Sequence, residues 1–276
     1  MLWTRWRVLG ALGNVFTAFA LLVVLVMIAF AVYAPMIATH SPTAQNLGSR
    51  FQPPGSEPHL LGTDELGRDV FARIVYGSRA SLGVAAITVA ISASVGLALG
   101  LAAALAGGLV DDAVTVLADA VLSFPTILLA ITVVSVLQYG MLQVGTAIGV
   151  VFIPVFTRLV RAETKAIREE GYYRSSRALG SSLRRTVALH VLPNVLPRVV
   201  VQATITFALA IVIESSLAYL GLGTQPPNPS WGLMLRDGRN ALFHAPWLSI
   251  FPGVALALTV FSLNFLGDRL AEYLGR

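Results

Sequence analysis

The chain has no cysteine, a single lysine (Lys165), four histidines and only 12% charged residues among its 276. Without cysteine there is no disulfide framework, no thiolate metal site and no thiol nucleophile. A soluble domain carries about a quarter charged residues, so roughly half the usual charge is present to cover a surface. That shortage excludes a soluble globular domain, and the apolar content excludes disorder. What fills the sequence is 56% hydrophobic residues, with a mean hydropathy of +0.76. The composition is that of an integral membrane protein. The net charge of +5 comes from 18 arginines and Lys165 against 14 acids. In a membrane protein such an excess serves orientation and headgroup contact rather than nucleic-acid binding.

A spanning helix needs about 20 apolar residues, so charge-free stretches set the map. The first runs from Val8 to Thr39; its apolar part, Leu9 to Ala34, is too long for a signal-peptide core and predicts an uncleaved helix. The second runs from Ala80 to Val110. The third, Ala120 to Thr157, would reach roughly 57 Å as one helix. It therefore divides at Gln138-Tyr139-Gly140 into a helix from Ala113 to Leu137 and another from Leu142 to Val160. Val199 to Leu220 and Pro246 to Leu266 complete six spans. Gly96-x-x-x-Gly100 in the second span suits close helix approach. Pro125 and Pro154 each remove a backbone hydrogen bond within a span, which fits either a moving part or a static kink.

With the N-terminus inside, the inner segments hold 13 Arg and Lys residues, Arg5, Arg7, Arg269 and Arg276 among them, and the outer segments hold 6. This bias predicts an N-in, C-in chain. The expected organisation is an N-terminal tail and first helix (1–40), an extracytoplasmic loop (41–79), a five-helix core (80–270) containing an inner loop at 161–198, and a cytoplasmic tail (271–276).

Enzyme signatures are missing. There is no phosphate loop, since the only lysine stands in Glu163-Thr164-Lys165-Ala166-Ile167, and there is no nucleophile elbow or zinc-protease helix. His40, His59, His190 and His244 show no ligand spacing, so no metal site is expected. Asp64, Glu65 and Asp69 are interleaved with Arg68 and Arg73, which fits capping and ion pairing better than a calcium loop. Two acids lie in or near spans, Asp119 and Glu214. A carboxylate there is costly and marks either an internal pair or a substrate or proton pathway. The second alternative would suit a proton-coupled carrier.

The inner loop carries seven Arg or Lys residues between Arg161 and Arg185, and His190. Gly171 interrupts; Tyr172 to Leu179 can form two turns; Gly180 suits the left-handed position that ends a helix. Ser181 or Ser182 can cap a second helix, and Pro193 is expected to stop it. A short helix offering Tyr172, Tyr173 and Leu179 suits either docking to a protein or resting on anionic headgroups.

The run Tyr172-Tyr173-Arg174-Ser175-Ser176-Arg177-Ala178-Leu179-Gly180, continuing to Leu192-Pro193, resembles the EAA loop of importer-type ABC transporter permeases. Leu61 to Val70 (LGTDELGRDV), Leu122-Ser123-Phe124-Pro125, Gly221 to Gly232 (GLGTQPPNPSWG) and Asn264 to Asp268 are similar to blocks of the C-type permease of dipeptide, oligopeptide and nickel importers. The resemblance implies an all-α, six-span type I importer permease of the bacterial cytoplasmic membrane. It implies no catalytic residue and no cofactor in this chain. It further implies a heterodimer with a homologous permease, two cytoplasmic ATPases that bind ATP and Mg, and an extracytoplasmic substrate-binding protein. The implied solute is a peptide, with nickel or another small solute as the alternative. On this likeness Tyr172 to Gly180 and Pro193 carry coupling to the ATPase, and Asp64, Arg68, Asp69, Gln225 and Trp231 shape the outer mouth or the binding-protein contact. Arg174-Ser175-Ser176 stands where the family has Glu-Ala-Ala. The expected compensation is an acid on the ATPase, or else the neighbouring Glu169 and Glu170.

Overall fold

The structure is a computed structural model that describes residues 2–137 and 140–274, residues 2–13 by backbone alone. Ten α-helices follow in order: α1 (Leu2–Ile37), α2 (Val70–Ala106), α3 (Gly108–Leu122), α4 (Thr126–Leu137), α5 (Met141–Glu169), α6 (Gly171–Ala178), α7 (Leu183–Thr186), α8 (Leu192–Tyr219), α9 (Trp231–Gly238) and α10 (Trp247–Leu274). Five of the helical runs are long and apolar enough to cross a membrane. A sixth crossing is formed if α3 and α4, bent by 96° where they join, are taken together. An all-helical solution follows from the solvent: hydrocarbon offers backbone groups no partner, so each span must satisfy its own.

The single helix expected from Ala113 to Leu137 is instead two. The chain breaks at Ser123-Phe124-Pro125, because proline lacks a donor and pushes the preceding residue out of helical geometry. The next expected break falls on Gln138 and Tyr139, outside the described residues; α4 ends just before them and α5 begins just after Gly140. Arg276 and the side chains of Arg5 and Arg7 also lie outside the described residues.

The centre of the bundle is the α2–α5 pair, and glycines on both helices set its spacing. A Cβ on Gly96 would lie 2.4 Å from the Phe156 Cβ, and one on Gly100 would lie 2.7 Å from the Thr157 carbonyl oxygen. From the other side, Gly145 and Gly149 receive the side chains of Ile87 and Ile91. Thr88 Oγ1 donates to the Gly145 carbonyl at 3.1 Å across the seam. In lipid such close approach replaces the missing hydrophobic drive with van der Waals contact.

The second helix begins at Val70, ten residues before the expected span, with Arg73 and Arg79 inside it. Arg73 is buried among acids, and Arg79 reaches α1: its Nε donates to the Ala31 carbonyl at 2.5 Å and its Nη2 to Val32 at 2.9 Å. Pro35, four residues after Ala31, has no N–H to offer that carbonyl, and Tyr33 has left helical geometry. The guanidinium supplies the donors that the kink removes.

Candidate functional site

The segment expected to couple to an ATPase stands at the end of α5. Its first helix, α6, ends in a Schellman arrangement: Gly180 adopts φ +82°, its N–H donates to the Arg177 carbonyl, and the Ser181 N–H donates to Ser176. The Ser182 hydroxyl then caps α7, accepting from the Arg185 amide at 3.4 Å. Pro193 does not stop the helix. The turn over Val187–Val191 is a π-turn, closed by the Leu192 N–H on the Val187 carbonyl, so Pro193 falls in the first turn of α8. The residue added by the π-turn accommodates the proline within a helical run that continues from Leu183 to Tyr219.

Two faces result. Tyr173 is buried and joins Ile167, Val191 and Val195 in a small core separate from the main one, which fixes α6 to both α5 and α8. Leu179 is 88% exposed at the tip, with Tyr172 and Leu183 also open. Tyr172 lies against His190, ring centroids 5.7 Å apart. Arg174 pairs with Glu169 of its own chain, the second of the two compensations open at the sequence level. Ser175 and Arg177 are exposed and Ser176 half-buried; Arg177 donates to the Ser181 carbonyl at 2.6 Å.

The basic residues before this segment do not face outward as a docking patch. Arg161 and Lys165 converge on Asp111 of α3, with Arg161 Nη2 at 2.9 Å and Lys165 Nζ at 2.5 Å from Oδ2. Arg168 donates to the Ala104 carbonyl at the end of α2. Asp119 pairs with Arg158. These contacts bind α3 and α2 to the shaft of α5. Arg184 and Arg185 of α7 are exposed and have no ion-pair partner among the described residues. Sequence reasoning passed over Asp111, because its partners lie 50 and 54 positions away.

At the other end, Leu61 to Val70 folds as a tight knot. Asp64 Oδ1 accepts from the Leu66 and Arg68 amides, both at 2.9 Å, and Oδ2 accepts from Arg68 Nε at 2.6 Å. Gly67 has φ +70°, and a Cβ there would lie 1.8 Å from the Asn46 carbonyl oxygen. Asp69 caps α2 through the Ala72 amide. Arg73 approaches Asp64 and Asp237 at 3.5 and 3.6 Å, and Arg68 reaches Asp237 at 3.7 Å. Burial pushes the Asp237 carboxyl up, against the pull of Arg73 and Arg68. Trp231 is fully buried at the start of α9; its Nε1–H donates to the Ile74 carbonyl at 3.1 Å. Asp64, Arg68, Asp69 and Trp231 thus build this platform from within, with the Trp231 ring enclosed by the chain itself. Gln225 is exposed, its amide donating to the Gly221 and Gly223 carbonyls.

Glu214 is fully buried, with Ser81 Oγ donating to Oε2 at 3.0 Å and Ser215 Oγ at 3.3 Å. Its Oε2 thus faces hydroxyls, its buried Oε1 has no hydrogen-bond partner among the described residues, and Asp119 pairs with Arg158. His40 and His59, far apart in sequence, meet at Asp69, a grouping that no linear spacing announces.

Residues 96–276 match the family described as "Binding-protein-dependent transport system inner membrane component", and residues 14–54 match the "N-terminal TM domain of oligopeptide transport permease C". The chain is 39% identical to the dipeptide transport system permease protein DppC of Alkalihalophilus pseudofirmus, over 92% of this chain and 83% of that protein. It is 36% identical to the di/tripeptide transport system permease protein DppC of Pseudomonas aeruginosa, over 96% and 87%, and 40% identical to the glutathione transport system permease protein GsiD of Shigella flexneri, over 92% and 84%. The fold resembles a chain of the MetNI methionine ABC transporter solved in inward-facing conformations, with a TM-score of 0.61 at 20% identity, over 74% of this chain and 97% of that one. A type I importer fold, its membrane-crossing helices and a family match over most of its length agree: this chain is a multi-pass inner-membrane protein that belongs to the binding-protein-dependent transport permeases, the translocation subunits of ABC importers.

Proposed function

We infer that the chain imports peptides, in a heterodimer with a homologous permease, driven by two ATPase subunits that hold ATP and Mg and fed by an extracytoplasmic binding protein. Its relatives are named for dipeptides, di/tripeptides and glutathione, which supports a short peptide as solute. The carrying observation for coupling is the two-faced α6 segment: Tyr173 is rooted between α5 and α8 while Leu179 is bare at the tip. An apolar tip on a rigid root suits a groove on an ATPase, and movement of that groove is passed to the spanning helices through the root. The reading places both chain ends and α6 on the cytoplasmic side, as the distribution of arginines favours. Solute would pass by alternating access, with no covalent chemistry in this chain.

The test is reconstitution of the four kinds of subunit in liposomes. Uptake of a labelled dipeptide should require ATP and the binding protein, and Leu179→Asp should reduce it at least tenfold while leaving the complex folded. Uptake by this chain alone, collapsing with the proton gradient, would overturn the assignment.

A further inference from the structure

Two imidazoles and a carboxylate converge where α2 begins. Asp69 divides its carboxylate: Oδ1 accepts from the Ala72 amide and caps the helix, while Oδ2 faces the preceding loop. His59 Nδ1 lies 2.8 Å from Oδ2 and His40 Nδ1 lies 3.9 Å from it. The two rings stand with centroids 5.0 Å apart, and one donor atom from each of the three residues lies within 4.8 Å of the others. Asp69 is buried, whereas His59 and His40 are half-buried and both line a cavity of about 300 Å³ that Gln45 and Asn46 also line.

Hydrogen bonding within the group joins two of these residues. His59 and Asp69 make an ordinary bond; His40 Nδ1 is too far from Oδ2 for one and meets Thr39 Oγ1 at 3.0 Å instead. Two imidazoles facing one carboxylate oxygen is an arrangement that a cation completes. Zinc bonds nitrogen at 2.0–2.1 Å, so tetrahedral ligands stand about 3.3 Å apart; the two carboxylate–imidazole separations, 2.8 and 3.9 Å, bracket that value, and with all three donor atoms within 4.8 Å a small inward shift of His40 closes the set. The His59 Nδ1 proton would leave as the metal enters. Two nitrogen donors select against calcium and magnesium, which take oxygen, and favour the zinc-like borderline cations. The adjoining cavity leaves room for water at a fourth position.

We propose that His40, His59 and Asp69 form a binding site for a zinc-class divalent cation. Loaded, it ties the chain three residues beyond the end of α1 directly to the cap of α2, and so fixes the loop between the first two spans.

The test takes the assembled transporter, stripped of metal and titrated with Zn²⁺ alone. A calorimetric site present once per copy of this chain should weaken at least tenfold in His40→Gln and in His59→Gln. Asp69→Asn keeps an oxygen for the Ala72 amide, so it separates the cap from the ligand and should weaken Zn²⁺ without unfolding α2. Zn²⁺ should also slow amide hydrogen exchange over residues 40–69 in the wild type and not in His40→Gln, a variant at a half-exposed position that leaves the core intact. Unchanged Zn²⁺ affinity in His40→Gln, with the variant folded, overturns the proposal.

Discussion

Single residues here take their meaning from partners far along the chain. Trp231 was legible as part of a block near the outer mouth, yet its ring is enclosed and its N–H holds the Ile74 carbonyl of α2. Trp231→Ala should therefore cost about 3–5 kcal/mol by loss of a large buried side chain. Trp231→Phe should cost only about 1 kcal/mol for the hydrogen bond. Thermal unfolding in detergent measures both, and binding-protein-dependent uptake should survive the second. Arg174 makes its pair with Glu169 on an exposed surface, where such a pair is worth at most about 1 kcal/mol. Arg174→Glu should leave stability unchanged and place three acids, Glu169, Glu170 and residue 174, at the foot of α6. Uptake per ATP hydrolysed should then fall, and an unchanged ratio would show that the position takes no part in coupling.

At the level of helices, the sequence reading puts a span on each of the five long apolar runs, with ends off by as much as the ten residues at Val70, because a bilayer demands long runs without charge and little else competes with that signal. It failed where charge and span coexist. As arginines, Arg73 and Arg79 read as loop, but Arg73 finds Asp64 and Asp237, and Arg79 finds carbonyls of α1. Those partners cannot be guessed from local pattern. The bend at Pro125 and the π-turn before Pro193 show the two outcomes of proline: a break where the register is not adjusted, and continuity where an added residue accommodates the proline. For the α2–α5 seam the glycine spacing was informative, and Gly96→Val should overpack it by about 1–3 kcal/mol or more. The folded fraction after mild heating in detergent measures that loss. Tyr173→Ala separates root from tip in α6: ATP hydrolysis should persist in an assembled complex while uptake falls. Loss of complex assembly instead would place Tyr173 in docking rather than transmission.

Over the whole molecule, the ion pairs among the described residues gather at two ends, and the polar groups between them are buried hydroxyls such as Thr88 and the buried Glu214. Near α6, Asp111 joins Arg161 and Lys165, so removing it by Asp111→Ala leaves two cations together and should loosen α3 from α5. Arg161 and Lys165 are both partly open to solvent, so the expected cost is about 1 kcal/mol, read as faster proteolysis between α2 and α5. At the opposite end, Asp64, Arg68, Arg73 and Asp237 lock the loop before α2 to α9. The candidate site was legible as a stretch, 172 to 193, and as a turn at Gly180. Which of its side chains are rooted and which are bare was not, since that depends on the small core shared by α5, α6 and α8.

The Arg79 bridge to α1 has a consequence for biogenesis. During synthesis α1 enters the membrane before α2, carrying a carbonyl at Ala31 whose helical partner position is a proline. Backbone groups left unsatisfied in hydrocarbon cost several kcal/mol, and the guanidinium that relieves this one is still 48 residues from being made. The first helix should thus remain with the insertion machinery until α2 arrives, the pair being released into lipid together. Site-specific crosslinking of stalled chains should show α1 retained up to the appearance of Arg79, and retained longer in Arg79→Leu.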